Sequence, residues 1–310
     1  MYISAKRSFA ILGGAVLSVA ACGGDDGAAG GGGPSGQQDA GNVPSGSSDG
    51  GDGDAGMNGD AAGAGLGDGP FTLVYAGTTV GIDGRPIAQG KAAFDGAKMI
   101  GYEADADERP QLGTNQVKDV SGDAFVALGR WSGGATTGKF YDVNGTGFID
   151  LPANGGFHYV IGSFTDPMPA SGASTYTELA KTVATVSDGS VAPGTISGSL
   201  AVNFAGASTK LGFSIVLDIP GDATYTLATT GGTADVSASE AELAAGNMKG
   251  AFCANLQINS AGAACGGTCA GAVQGFVAGP GAERVALVAH VFNGSGGSPK
   301  SVTGAITFKR

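Results

Sequence analysis

Aromatic residues make up only 7% of this 310-residue chain, and charged residues only 14%. One tryptophan, Trp131, and two histidines, His158 and His290, leave few of the side chains on which proton transfer and base stacking rely. Basic residues are scarce too: 16 Lys and Arg stand against 27 Asp and Glu, for a formal net charge of −11. No basic patch with interleaved aromatics occurs, which excludes nucleic acid as an expected partner. After residue 21 no apolar run is long enough to be read as a membrane-spanning helix. Glycine, by contrast, is abundant, with 60 residues.

The start of the chain is the most informative segment. Lys6 and Arg7 precede an apolar run from Phe9 to Val19, closed by the small residues Val19-Ala20-Ala21 and then Cys22. The run is short for a bilayer span, and its basic and small-residue flanks are those of a secretory signal. A small-residue cleavage site directly before a cysteine resembles a bacterial lipobox. That resemblance implies a signal peptide over residues 1–21 and lipid on Cys22. It also implies a mature protein held to a membrane by lipid. Gly23 after the cysteine favours the outer membrane, on its periplasmic or cell-surface side.

Residues 22–70 read as a tether. After Cys22 they contain no Lys, Arg or aromatic residue, and their eight aspartates supply most of the net charge. Such a segment cannot bury enough apolar surface to offset the entropy of ordering it, so disorder is expected, extended by self-repulsion. With Cys22 assigned to lipid, Cys253, Cys265 and Cys269 remain. Three is odd, so one disulfide and one free thiol are expected in an oxidising compartment. Cys265 and Cys269 bracket Gly266-Gly267-Thr268, which can close a tight loop; alternatively Cys253 bridges to either across a hairpin. A zinc site would need a fourth ligand, and no metal or other cofactor is expected.

From residue 71 onward the dominant pattern has period two. Ile196, Leu200, Val202 and Phe204 share one face of Thr195–Phe204, with Ser197, Ser199, Ala201 and Asn203 on the other. Leu211, Phe213, Ile215, Leu217 and Ile219 alternate likewise, and Gly206-Ala207-Ser208 makes the pair a hairpin. Further strands are expected at 71–77, 98–102, 124–131, 156–164, 174–186, 223–229, 248–258, 270–278, 284–292 and 301–308. One short helical turn is expected at 239–245, with Ser239 and Glu242 as a capping box. Nine candidate strands follow residue 156, enough for an all-β domain closed as an antiparallel eight-stranded barrel over residues 151–310. Residues 71–150 read as a smaller, irregular β region or as the opening strands of the same sheet.

Certain patterns are more specific. Phe157-His158-Tyr159-Val160-Ile161-Gly162 precedes Met168-Pro169-Ala170-Ser171-Gly172 and Tyr176; Ser197–Phe204 follows. Later come Gly275-Phe276, Gly281-Ala282-Glu283 and Gly304-Ala305-Ile306-Thr307-Phe308. Together with Gly129-Arg130-Trp131 they resemble the β-barrel domain of transferrin-binding protein B and related transferrin-binding-protein-like surface lipoproteins, over residues 128–310. The resemblance implies a barrel, a lipid anchor and a surface-exposed binding role. One barrel is visible, where the family has two lobes.

Catalytic patterns are weak. Asp142, Asn144, Thr146 and Gly147 follow a calcium-loop spacing, but the twelfth position is Ala153 instead of the required glutamate. His158 and His290 each lie between apolar neighbours, as structural histidines do, and no serine sits in a G-x-S-x-G elbow. Trp131 reads as a buried anchor. No enzyme activity is expected. The function expected is a surface-displayed lipoprotein whose barrel binds a protein or nutrient-related ligand. The alternative is a structural or adhesive envelope lipoprotein without a soluble ligand.

Overall fold

The computed structural model describes residues 66, 69–77, 89–105, 108–140, 149–243, 250–258, 260, 262–266, 269–293 and 300–310. Cys22, the tether and most of the calcium-like loop lie outside these residues. The first strands are β1 (Phe71–Gly77), β2 (Gln89–Asp95), β3 (Lys98–Glu103), β4 (Arg109–Gln111), β5 (Gln116–Gly122) and β6 (Val126–Ser132). Then come β7 (Gly134–Ala135), β8 (Thr137–Lys139), β9 (Asp150–Leu151), β10 (Phe157–Gly162), β11 (Gly172–Lys181) and β12 (Thr185–Val186). The remainder are β13 (Thr195–Phe204), β14 (Lys210–Asp218), β15 (Thr224–Ala228), β16 (Ala251–Gln257), β17 (Cys269–Ala278), β18 (Arg284–Asn293) and β19 (Ser301–Lys309).

Eight of these strands form an antiparallel barrel in the order β15-β14-β13-β11-β19-β18-β17-β16. The hairpin β13–β14 puts the two alternating sets on one side as expected, and pairs Ile196 with Leu217, Leu200 with Phe213 and Val202 with Leu211. Their side chains meet Phe252, Val273, Leu287, Ile306 and Phe308 in one apolar interior. Period-two alternation and antiparallel pairing together put these residues on one side. Inward glycines make room for the larger side chains: a Cβ at Gly271 would lie 2.6 Å from Ile258 and 2.8 Å from Leu227.

Residues 241–243 link the start of β14 to β16 across the opening of the barrel sheet. Leu211 N donates to Ala241 O (2.9 Å) and Leu243 N to Thr209 O (3.0 Å), while Leu243 bridges to Phe252 of β16. This corrects the helical turn expected at 239–245 for its described part. Ser239 Oγ donates to Leu211 O and accepts from Ala241 N, and Glu242 reaches Lys210 at 3.2 Å. Side chains suited to a helix cap serve here to tie a strand-like segment across the barrel.

A second sheet runs β5-β6-β10-β1-β2-β3-β4-β8. Only Phe71–Gly90 and Thr72–Gln89 pair between β1 and β2, so the sheet folds over there into a sandwich. Leu73, Tyr75, Trp131, Phe157 and Tyr159 fill the sandwich with Met99 and Tyr102. The opposite face of the same strands carries Val74, Ala76, Val126, Leu128 and Val160, which pack on Ala272, Phe276, Ala286, Val288 and Ala305 of the barrel's outer wall. The result is three layers, with β1, β6 and β10 buried on both faces.

The strand β10 is a second correction. It was expected among the barrel strands from residue 156 onward, yet it pairs with β1 and β6 at the centre of the sandwich. Its alternation fits either sheet; the choice was made by partners lying about 80 residues upstream in β1 and about 30 in β6. β2, β4, β5 and the short strands β7–β9 were not anticipated, because Gly, Pro and charged residues interrupt their apolar pattern or the strands are too short to show one.

Candidate functional site

Polar side chains concentrate in one buried place, the junction between the sandwich and the barrel. In β6 and β10, Arg130 and His158 point to the same face as Leu128 and Val160 and therefore towards the barrel wall. Arg130 Nε pairs with Asp119 Oδ2 at 2.7 Å, and its Nη1 donates to Gly155 O at 2.7 Å. Asp119 sits at a bulge of β5 with φ of 55°, a left-handed conformation uncommon outside glycine, asparagine and aspartate. That backbone aims the carboxylate at Arg130 and at Val183 N, 3.3 Å away on the strap linking β11 to β12.

The strap also holds His158. Its Nδ1 lies 2.9 Å from Thr182 Oγ1 and its Nε2 2.7 Å from Thr185 Oγ1. Thr182 Oγ1 accepts from Ala305 N (3.0 Å) and donates to Val183 O (2.9 Å), which leaves it an acceptor towards Nδ1–H. Nε2 then accepts from Thr185. Thr185 stands opposite Thr303 of β19, and Thr303 stands opposite His290 of β18, whose Nδ1 is 3.1 Å from Thr303 Oγ1. His290 stacks on Phe292 at 5.4 Å. Burial holds the His158 imidazole well below its usual range, with Arg130 and His290 adding repulsion. Burial alone lowers His290 to about 4. Both rings are thus neutral at pH 7, and at 0% and 5% exposure neither is reachable by a substrate.

A second tie between the layers runs from Asp123 to Arg284, with Nε to Oδ2 at 2.5 Å and the guanidinium 5.4 Å from the Phe125 ring centre. Trp131 is wholly buried within the sandwich, donating to Met99 O at 2.8 Å and stacking on Phe157 at 4.9 Å. Among the described residues no group of His, Cys, Asp and Glu gathers as a metal would require.

Cys265 and Cys269 are joined, with Cα atoms 5.2 Å apart, in the loop between β16 and β17. Ala264 N in that loop donates to Asp222 Oδ1 at 3.2 Å, and Ser260 Oγ to Thr224 O at 2.6 Å, so the loop is tied to β15. Cys253 is half-buried on β16 opposite Gln274. The leftover free thiol is not found among the described residues.

The signature residues near the C-terminus hold a turn. Gly279 has φ of 85° and Ala282 φ of 64°, and Ala282 N donates to Gly279 O at 3.1 Å. The Glu283 carboxylate accepts from Gly281 N at 2.9 Å, and Tyr176 OH donates to Ala282 O. The motif therefore shapes the β17–β18 hairpin and locks it to β11.

The wall formed by β11, β13, β14 and β15 faces water. Its outward residues are mostly Ser, Thr, Ala and Gly, and every aromatic of these four strands, namely Tyr176, Phe204, Phe213 and Tyr225, lies in the interior. A shallow groove of about 480 Å³ opens there between Thr175, Asn203 and the 233–237 loop.

No family model and no curated protein matches the chain. Solved structures similar to it include two forms of the vaccine antigen transferrin-binding protein B from Haemophilus parasuis Hp5. A double mutant is 15% identical with a TM-score of 0.42, covering 77% of this chain and 44% of that one. A single mutant is 12% identical with a TM-score of 0.41, covering 77% and 45%. A third is intact Ap-TbpB with N and C lobes, at 14% identity and a TM-score of 0.39, covering 77% and 45%. This chain spans less than half the length of each. They carry the family name that the residue patterns resemble.

Proposed function

We propose that the chain is a bacterial outer-membrane or surface-displayed lipoprotein, anchored through lipid on Cys22, whose barrel is a binding module for a protein or nutrient-related ligand. The observation that carries this reading is Val19-Ala20-Ala21-Cys22 behind a basic start and an apolar run. The polarity of the barrel supports it. A membrane-spanning barrel turns apolar residues outward, whereas this one encloses them and turns Ser and Thr to water. Such a barrel is at home in water and needs an anchor outside itself. Cys22→Ala should abolish incorporation of labelled fatty acid and release the protein from the membrane fraction; equal labelling of the variant would overturn the anchor.

One observation favours the structural or adhesive alternative. The water-facing wall offers no aromatic side chain from its four strands, and protein interfaces are enriched in Tyr, Trp and Phe. Cells displaying the protein separate the two readings. Saturable retention of one component from host or environmental fluid, lost with Leu217→Asp, supports the binding module. Retention that never saturates supports the adhesive reading.

A further inference from the structure

We propose that the junction between sandwich and barrel is an acid-sensitive clasp, which opens as His158 and His290 take up protons. The two histidines lie on facing layers, His158 on β10 and His290 on β18; His158 is held by the strap 182–186, the strap pairs with β19, and Thr303 of β19 carries the contact on to His290. Both ring nitrogens of His158 are already engaged by threonine hydroxyls, with no carboxylate among its hydrogen-bond partners. The charged groups around it are Arg130 from β6, Asp119 from β5 and His290 from the barrel; Lys118 stands opposite Arg130 in the neighbouring strand. Asp119 is the one carboxylate of this set, and it is taken up by Arg130 and Val183 N. A proton on His158 therefore places a second buried cation beside Arg130 with nothing to neutralise it.

Opening the clasp returns both rings to water, where their ordinary affinity for protons is restored. The folded values are lowered, so the histidines contribute stability that is intact above about pH 6.5 and is lost as pH falls. For His290 the loss is complete near its folded value of about 4. In that window each histidine multiplies the open fraction by about tenfold per pH unit. The barrel wall β13–β14 carries no histidine, and its stability lacks this term.

Hydrogen–deuterium exchange on the full chain tests this, read as protection factors between pH 7.5 and 4.5 so that intrinsic exchange is already removed. The expected result is a steep fall, up to a hundredfold per pH unit, over 157–162 and 182–187, with a smaller change over 195–204. His158→Gln with His290→Gln should flatten that dependence. Should the double variant fail to fold, His290→Gln alone should halve the logarithmic slope. The clasp is overturned if the variants keep the full pH dependence, or if clasp and β13–β14 lose protection together.

Discussion

In β13 and β14, inward and outward residues alternate, and the outward positions left open to water are Thr, Ser, Asn, Lys, Val and Asp, with Ala201 and Gly212 covered. In β17 all ten residues are buried, as are all but three of β18 and all but one of β19. Both walls enclose the same interior. They differ because the sandwich lies on the second and water on the first, so the outward positions of β17–β19 are mostly Ala, Val, Phe and Thr, with a few buried polar residues such as His290 and Gln274. An antiparallel sheet reads as alternating only where one face is wet; a covered wall reads as a continuous apolar run.

The sharpest test of this contrast sets adjacent residues against each other on each wall. Leu217→Asp puts an unpaired charge into the interior and should cost more than about 4 kcal/mol, enough to unfold a domain of ordinary stability. Val216→Asp, half-exposed on the open wall, should cost less than about 1 kcal/mol. On the covered wall the asymmetry should vanish: Leu287→Asp and Val288→Asp should both remove the cooperative melting transition. A mild Val288→Asp would show that the sandwich does not seal this wall.

Ion pairs should divide in the same way. Asp119→Asn leaves Arg130, at 5% side-chain exposure, buried without its counter-ion, and should cost about 3 kcal/mol in urea denaturation. Glu242→Gln removes an open-wall pair whose carboxylate side chain is 55% exposed, and should cost less than about 1 kcal/mol. Equal costs would mean that the junction is as wet as the surface.

A smaller effect is expected at the disulfide loop. Cys265→Ser with Cys269→Ser opens a loop of only a few residues, and the chain-entropy estimate for so short a loop is about 2 kcal/mol. Non-reducing peptide mapping of exported protein should recover the two cysteines linked; thiols at both would remove the bond. Smallest of all, Ser199→Ala and Thr226→Val on the open wall should shift stability by less than about 0.5 kcal/mol, measured by thermal melting.

The comparison also explains which elements could be read in advance. The β13–β14 hairpin was legible, with its inward faces and its turn, because water on one side enforces alternation and the turn is short. The polar junction was not legible. His158 and His290 each stand among apolar neighbours, and nothing local says that Thr182, Thr185, Arg130 and Asp119 converge at their junction from three separate segments. The one signal available was a positively charged Arg130 inside an apolar strand, which requires a buried partner somewhere. Ser239 and Glu242 misled for a related reason: capping residues satisfy any orphaned backbone group, and here the groups belonged to a barrel seam.

Composition and periodicity by themselves determined an all-β chain and an interior built from the alternating residues of a hairpin. These are local properties, set by which side chains can share a face. Only the tertiary structure decided that β10 leaves the barrel for the sandwich and that one barrel wall is dry. It also decided that two isolated histidines face a common junction. Those outcomes depend on pairing between strands far apart in the chain, where the free energy comes from layers meeting and no single segment carries the signal.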